Sequence, residues 1–260
     1  MNLETVFKNQ KVMIPYFTFG DPDIETTKKL ICHSFESGAE CIELGIPFSD
    51  PIADGPVIQD SHYRALTNDP KISIMKALKC VKDVKRIHSK PIIFMAAVNL
   101  IIQFGVERFF QKAATYQLDG IIIPDLTVEA SNQFVKLASQ YNISLILLAS
   151  HLCEPKRLKK IATASSGFVY LISSTGTTGE RSSFSSSLKK VTAQIKKIKD
   201  IPVVIGFGVS QPEHLSQLYK YADGAIVGSH LVSLFSNPSQ SIDNNIKAVG
   251  KRIKELSSIQ

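Results

Sequence analysis

Eight short apolar runs, each followed by a longer amphipathic stretch, recur along the 260 residues with nearly constant spacing. The runs are Val12 to Phe19, Cys41 to Leu44, Ile92 to Met95, Gly120 to Ile123, Ser144 to Leu148, Phe168 to Ile172, Val203 to Ile205 and Ala225 to Val227. Several, such as IIFM, IIIP, LILL and VVIG, are apolar throughout, as parallel strands covered on both faces must be; half-exposed antiparallel strands would alternate. The stretches between them (Ile24 to Ser37, Ile72 to His88, Val106 to Tyr116, Val128 to Tyr141, Pro155 to Ala164, Leu188 to Lys199, Pro212 to Tyr219, Ile242 to Ser257) carry apolar residues at helical spacing. Start signals mark some of them: Asp23 precedes the first, and Ser210 with Glu213 has the spacing of a capping box. Eight strand–helix units specify an α/β fold, the (β/α)8 TIM barrel. A doubly wound open sheet is the alternative, but it rarely uses so many regular units. No Pro/Gly/Ser linker divides the chain, so residues 1–260 are read as a single (β/α)8 barrel domain.

In such barrels the loops that leave strand C-termini build the active site. The loop after the second strand, IELGIPFSDPIADGP, holds Glu43, Asp50 and Asp54 among Pro47, Pro51 and Pro56. An acidic turn stiffened by proline is the bland reading of it; its place on the rim favours a functional one. Three further rim segments, LISSTGTTGERSSFSSS, VIGFGVSQPE and AIVGSHLVSLFSNP, combine glycines with candidate helix N-termini, the means by which backbone amides hold an anion. The last predicts a short extra helix after strand eight, from near Ser229 to before Pro238. The first, rich in Ser, Thr and Gly over residues 173–187, is read as an active-site lid.

Composition excludes several function classes. Charged residues make up 20% and apolar residues 44%, with no apolar run long enough to span a membrane. The N-terminus MNLETVFKNQK lacks a secretory pattern, so the expected location is cytoplasmic. The net charge of +7 lies mostly in lysines at helical spacing, and Trp is absent, which speaks for solvated helix faces over a nucleic-acid platform. Cys32, Cys41, Cys80 and Cys153 form no C-x-x-C pair and are read as reduced, mostly buried small hydrophobes. His151, Cys153 and Glu154 could be written as half a metal site, but no second histidine stands at ligand spacing, so no metal is expected.

ELGIPFSDPIADGPVIQ, together with GDP at Gly20 to Pro22, PDL at Pro124 to Leu126, STGTTG at Ser174 to Gly179, GFGV at Gly206 to Val209 and VGS at Val227 to Ser229, resembles the tryptophan synthase alpha subunit family. The match runs in order over nearly the whole chain, and its first motif is highly specific. The resemblance implies a carbon–carbon lyase that cleaves indole-3-glycerol phosphate to indole and glyceraldehyde 3-phosphate, late in L-tryptophan biosynthesis. Glu43 and Asp54 match the family's two catalytic carboxylates. Gly179, Gly208, Gly228 and Ser229 match its phosphate-binding positions, Thr178 its lid threonine, and Tyr170 a tyrosine beside the site. Asp50 and Asn99 match positions at an interface with a beta subunit, in an alpha2beta2 heterotetramer that receives the indole. Pyridoxal phosphate is expected only in that partner, and no cofactor in this chain. Glu43, among Ile42, Leu44 and Ile46, is expected to be desolvated and protonated and to serve as general acid and base; Asp54, in a polar loop, is expected to stay ionised and meet the indole N–H. A buried structural acid is the other reading of Glu43. Ala97 stands where many relatives carry a tyrosine, and Ser174 replaces a common arginine. The alternative function is therefore a catalytically weakened subunit that mainly binds and activates its beta partner.

Overall fold

The computed structural model describes residues 3–51, 54–172, 181–206, 208 and 211–259, with residues 181–186 described for backbone alone. Nine parallel strands occur among them: β1 (Val12–Thr18), β2 (Ile42–Gly45), β3 (Ile92–Met95), β4 (Gly120–Ile122), β5 (Ser144–Ile146), β6 (Leu148–Ser150), β7 (Val169–Ile172), β8 (Val203–Gly206) and β9 (Gly224–Val227). Their hydrogen-bonded order is β5-β4-β3-β2-β1-β9-β8-β7-β6. β5 and β6 are pieces of one extended run parted only by Leu147, so the two ends of that order meet and the sheet closes into the expected barrel. The fifth strand thus lends its first half to β4 and its second to β7. The apolar run LILL gives no sign of this division, because both halves are covered.

Side chains alternate across each strand, and the two faces meet different partners. Cys41, Val12, Ile14, Tyr16, Ile93, Ile122, Ile146, Val204 and Ile226 fill the barrel interior, while Ile42, Leu44, Phe94, Ile121, Leu171 and Ile205 pack outward beneath the helices. Both faces being apolar, each fully buried side chain adds roughly 1.5–3 kcal/mol of driving force. A 3-10 turn over Leu3–Phe7 closes the N-terminal end of the barrel, with Leu3 and Val6 buried and Phe7 edge-on to Phe168 at 5.8 Å.

The surrounding helices are α1 (Ile24–Glu36), α2 (Pro56–Asn68), α3 (Ile74–Lys85), α4 (Val98–Phe104), α5 (Val106–Thr115), α6 (Asn132–Tyr141), α7 (Pro155–Ala164), α8 (Arg181–Ile198), α9 (Pro212–Leu218), α10 (Ser229–Phe235) and α11 (Ile242–Ser257). Asp23 caps α1 by accepting from the Thr26 amide at 2.8 Å, and the extra helix after the last strand is α10. Three features depart from expectation. α2 and α4 lie in stretches to which the sequence reading assigns no helix. α8 begins at Arg181, so RSSFSSS forms its first turns instead of the end of a lid; serine costs a helix only about half a kcal/mol per residue, and the amphipathic half that follows carries it. α9 starts from Gln211 with Pro212 in its first turn and no side-chain cap, while Ser210, half of the expected capping box, lies outside the described residues.

Candidate active site

Glu43 belongs to the inward row of β2, with Cys41 below it and Gly45 above, and is paired in register with Tyr16 of β1 and Ile93 of β3. It is completely buried, and neither carboxylate oxygen has a hydrogen-bond partner among the described residues. A charge there would be unsolvated and unpaired. Burial, then the nearby Asp54, therefore push its pKa up to about 8, so that it is a neutral acid at pH 7.

The β2–α2 loop places Phe48, Asp50, Pro51 and Asp54 in the wall of a cavity. Asp54 ends this loop: its amide donates to the Pro51 carbonyl at 3.0 Å, and its own carbonyl accepts from Gln59 Nε2 at 2.8 Å. Its side chain is 13% exposed, less than a polar loop implies, and burial raises its pKa to about 6. That value leaves the Asp54 carboxylate mostly ionised at neutral pH.

Two tyrosines complete the floor, each on the inner face of its strand. A Cβ at Gly45 would overlap the Tyr16 hydroxyl, and one at Gly206 would overlap the Tyr170 ring, so these glycines are what let the phenols lie across neighbouring strands. Burial raises both phenol pKa values, with the charges of Asp54 and Glu43 adding to it.

Sequence reasoning missed His62. It projects from α2, buried, with Nδ1 accepting the Phe48 amide at 3.1 Å and Nε2 lying 3.2 Å from Tyr16 Oη and 3.5 Å from Asp54 Oδ2. Burial lowers its pKa to about 4, which leaves the ring neutral. α2 itself is pinned by Arg64, whose Nε and guanidinium end bind both oxygens of the buried Asp21 at 2.9 and 2.7 Å and also Ser236. A lone histidine in a stretch without strong apolar periodicity carried no signal; only the folded proximity of Phe48, Tyr16 and Asp54 reveals it.

A cavity of about 350 Å³ opens over these groups, lined by Tyr16, Phe48, Asp54, His62, Ala97 and Asp125 among others. Asp50 reaches its rim and is exposed, as is Asn99 in the first turn of α4, whose Val98 amide is capped by Asp125 Oδ1 at 2.8 Å. At the end of β9, next to β1, Gly228 precedes α10 and Ser229 opens it; a Cβ at Gly228 would come within 3.4 Å of Ile58 on α2. Gly208 is exposed after β8. Thr178 and Gly179 lie outside the described residues, as do residues 173–180 of the expected lid segment 173–187. The larger depression, about 970 Å³, is at the other end of the barrel, where Lys85 and Asp119 form a 2.6 Å ion pair and Asp119 caps the Ile92 amide. Those groups staple the strand starts. Among the described residues no cluster of His, Cys, Asp and Glu could hold a metal ion, and no helix is long and apolar enough to cross a membrane.

A family model described as tryptophan synthase alpha chain matches residues 4–259. The chain belongs to the tryptophan synthase alpha chain family. Its curated relatives include a tryptophan synthase alpha chain of Lacticaseibacillus casei, 38% identical over 97% of this chain and 94% of the relative. Among solved structures, the tryptophan synthase alpha subunit of Legionella pneumophila superposes with a TM-score of 0.88 at 30% identity, over 100% and 98% of the two chains. An aminoacrylate-bound tryptophan synthase of M. tuberculosis superposes at 0.87 with 28% identity over 99% of each chain. As a tryptophan synthase alpha chain it is a lyase of tryptophan biosynthesis, built on the barrel described above.

Proposed function

We propose that Glu43 and Asp54 divide the proton chemistry of a retro-aldol cleavage that converts indole-3-glycerol phosphate to indole and glyceraldehyde 3-phosphate. Neutral Glu43 delivers its proton to indole C3. Ionised Asp54 accepts the indole N–H as positive charge develops on the ring. Glu43, now a carboxylate, takes the proton of the side-chain hydroxyl; the bond from C3 to the side chain breaks, its electrons return to the indole, and the aldehyde forms. Glu43 ends as it began, so the cycle balances without metal or organic cofactor in this chain. The observation that carries this reading is the orphaned, fully buried carboxyl of Glu43 on the inner face of the barrel, near enough to Asp54, a second carboxylate in the cavity wall, to be raised by its charge.

The phosphate would lie against Gly179, Gly208, Gly228 and Ser229, with Tyr170 and Thr178 beside the substrate. Asp50 and Asn99, exposed on the same rim, would meet a beta subunit in an alpha2beta2 assembly. That subunit carries the pyridoxal phosphate and takes the indole. A cytoplasmic location suits a supplier of indole to such a partner.

The test is indole release from indole-3-glycerol phosphate, with and without a beta subunit. Glu43→Gln is expected to lower turnover by at least 10²–10⁴-fold, the usual worth of a positioned acid–base group; an unchanged rate sinks the role. For the wild type, kcat/KM should rise through about pH 6 as Asp54 ionises and fall through about pH 8 as Glu43 loses its proton. A second reading, a binding subunit whose own chemistry has weakened, is favoured by Ala97, which leaves the cavity wall with a methyl where relatives place a phenol. Stimulation of the beta subunit without any cleavage by this chain would select it.

A further inference from the structure

We propose that His62 is a positioning residue for Asp54, acting as a neutral ring whose single proton, presented from helix α2, is shared between the Asp54 carboxylate and the Tyr16 hydroxyl. The proposal rests on the reading of Asp54 as the acceptor of the indole N–H.

The tautomer follows from hydrogen-bond bookkeeping at both ends of a chain of contacts. At one end the Phe48 amide donates to Nδ1, so Nδ1 carries a lone pair and the proton of the neutral ring sits on Nε2. At the other end Ser61 Oγ donates to the Ile58 carbonyl, so in its contact with Thr18 the Thr18 hydroxyl is the donor. The Tyr16 hydroxyl then points to Thr18 Oγ1, 3.5 Å away, and leaves a lone pair for His62 Nε2–H at 3.2 Å. Every donor in the row finds one acceptor. A second ring proton would sit on Nδ1, head-on to the Phe48 N–H, so the geometry by itself resists imidazolium.

Nε2–H thus faces two acceptors, Tyr16 Oη at 3.2 Å and Asp54 Oδ2 at 3.5 Å. The second distance is long for a full hydrogen bond, and it leaves the carboxylate stabilised without neutralising it. An imidazolium in the same place would compete with the indole N–H for Asp54; a neutral N–H orients the carboxylate and leaves its charge to the substrate. The same ring also holds the β2–α2 loop at two points, the Phe48 amide near its start and Asp54 near its end, from a helix fixed by the Arg64–Asp21 pair. The titratable groups facing Asp54 are Glu43 of β2, Tyr16 of β1, Tyr170 of β7 and His62 itself, with Asp50 and Asp125 at the cavity rim.

The experiment measures kcat and KM for indole release against pH in the full chain and in His62→Phe, His62→Gln and Tyr16→Phe. Phenylalanine keeps a ring and removes the donor, so kcat/KM should fall by roughly three- to tenfold, less than a full hydrogen bond to a charged group is worth because the contact is long. With that donor gone the Asp54 carboxylate is less stabilised, and the acid limb of the profile should move to higher pH. Glutamine can present an N–H near the lost position and should bring the limb back. Tyr16→Phe removes the competing acceptor, leaves the proton to Asp54, and should move the limb to lower pH. Opposite displacements by two neighbouring substitutions are not what loss of packing alone would give. Wild-type turnover with an acid limb that ignores His62→Phe overturns the proposal alone, as does a limb moved equally by Phe and Gln. A wild type that releases no indole overturns the reaction assignment, and the proposal with it. Should His62→Phe not fold, Tyr16→Phe decides: a limb that stays in place refutes the shared proton.

Discussion

Glu43 is a group that folding would gain from losing. In the unfolded chain it ionises near 4.5, whereas in the barrel it holds its proton to about pH 8. Between those values the native state binds one proton more than the unfolded state, so stability falls as pH rises. At pH 7 the difference amounts to about 3 kcal/mol. Glu43→Gln should therefore be more stable than the wild type by up to about that amount at pH 7, with the gain vanishing as pH approaches 4.5. Urea unfolding at three pH values checks this, and an equal stability of the two chains at all of them would refute it. The two readings of Glu43, catalyst and structural acid, separate here: a structural acid held by backbone amides would lose stability on substitution, and among the described residues no such amide contacts it. Its place in ELGIPFSDPIADGP was legible because the motif is specific. His62, which the same loop depends on, was not, since its partners come from β1 and from both ends of the β2–α2 loop.

At the scale of elements, α2 carries the most function for its length. Its buried residues are Ser61, His62 and Ala65, small or polar groups turned toward the site, so it lacks the apolar stripe that makes a helix readable. The strands were readable for the converse reason: a parallel barrel strand is wet on neither face, and β-branched and aliphatic runs result. α2 is instead held by a polar clamp. Arg64→Met should leave Asp21, only 4% exposed, with no cation, and lower stability by roughly 2–4 kcal/mol, less than the full cost of breaking a deeply buried pair because Arg64 is partly solvated. Chemical denaturation measures it; a change below about 0.5 kcal/mol, the range of ordinary surface substitutions, would show that the clamp holds nothing. The start of α8 was hidden in the same way, by serines whose helical state is decided by the residues after them.

Across the whole molecule the two ends of the barrel divide their labour. The N-terminal end is shut by Leu3, Val6 and the Lys85–Asp119 pair, and the C-terminal end collects both carboxylates, both tyrosines and the exposed Asp50 and Asn99. The order of strands and the identity of this rim followed from the eightfold alternation. What did not follow was how the circle closes. β1 divides its length, with Val12–Pro15 on β9 and Tyr16–Thr18 on β2, and the fifth strand does the same with Ser144–Ile146 on β4 and Leu148–Ser150 on β7, but it leaves Leu147 in neither register. A cylinder under thermal agitation parts first along its least-bonded seam. Native-state hydrogen exchange should accordingly find the amides of residues 144–150 opening at lower free energy than those of β2. If they do, the barrel has a hinge line opposite β1, between the half-sheet that carries Glu43 and the half-sheet that carries Tyr170.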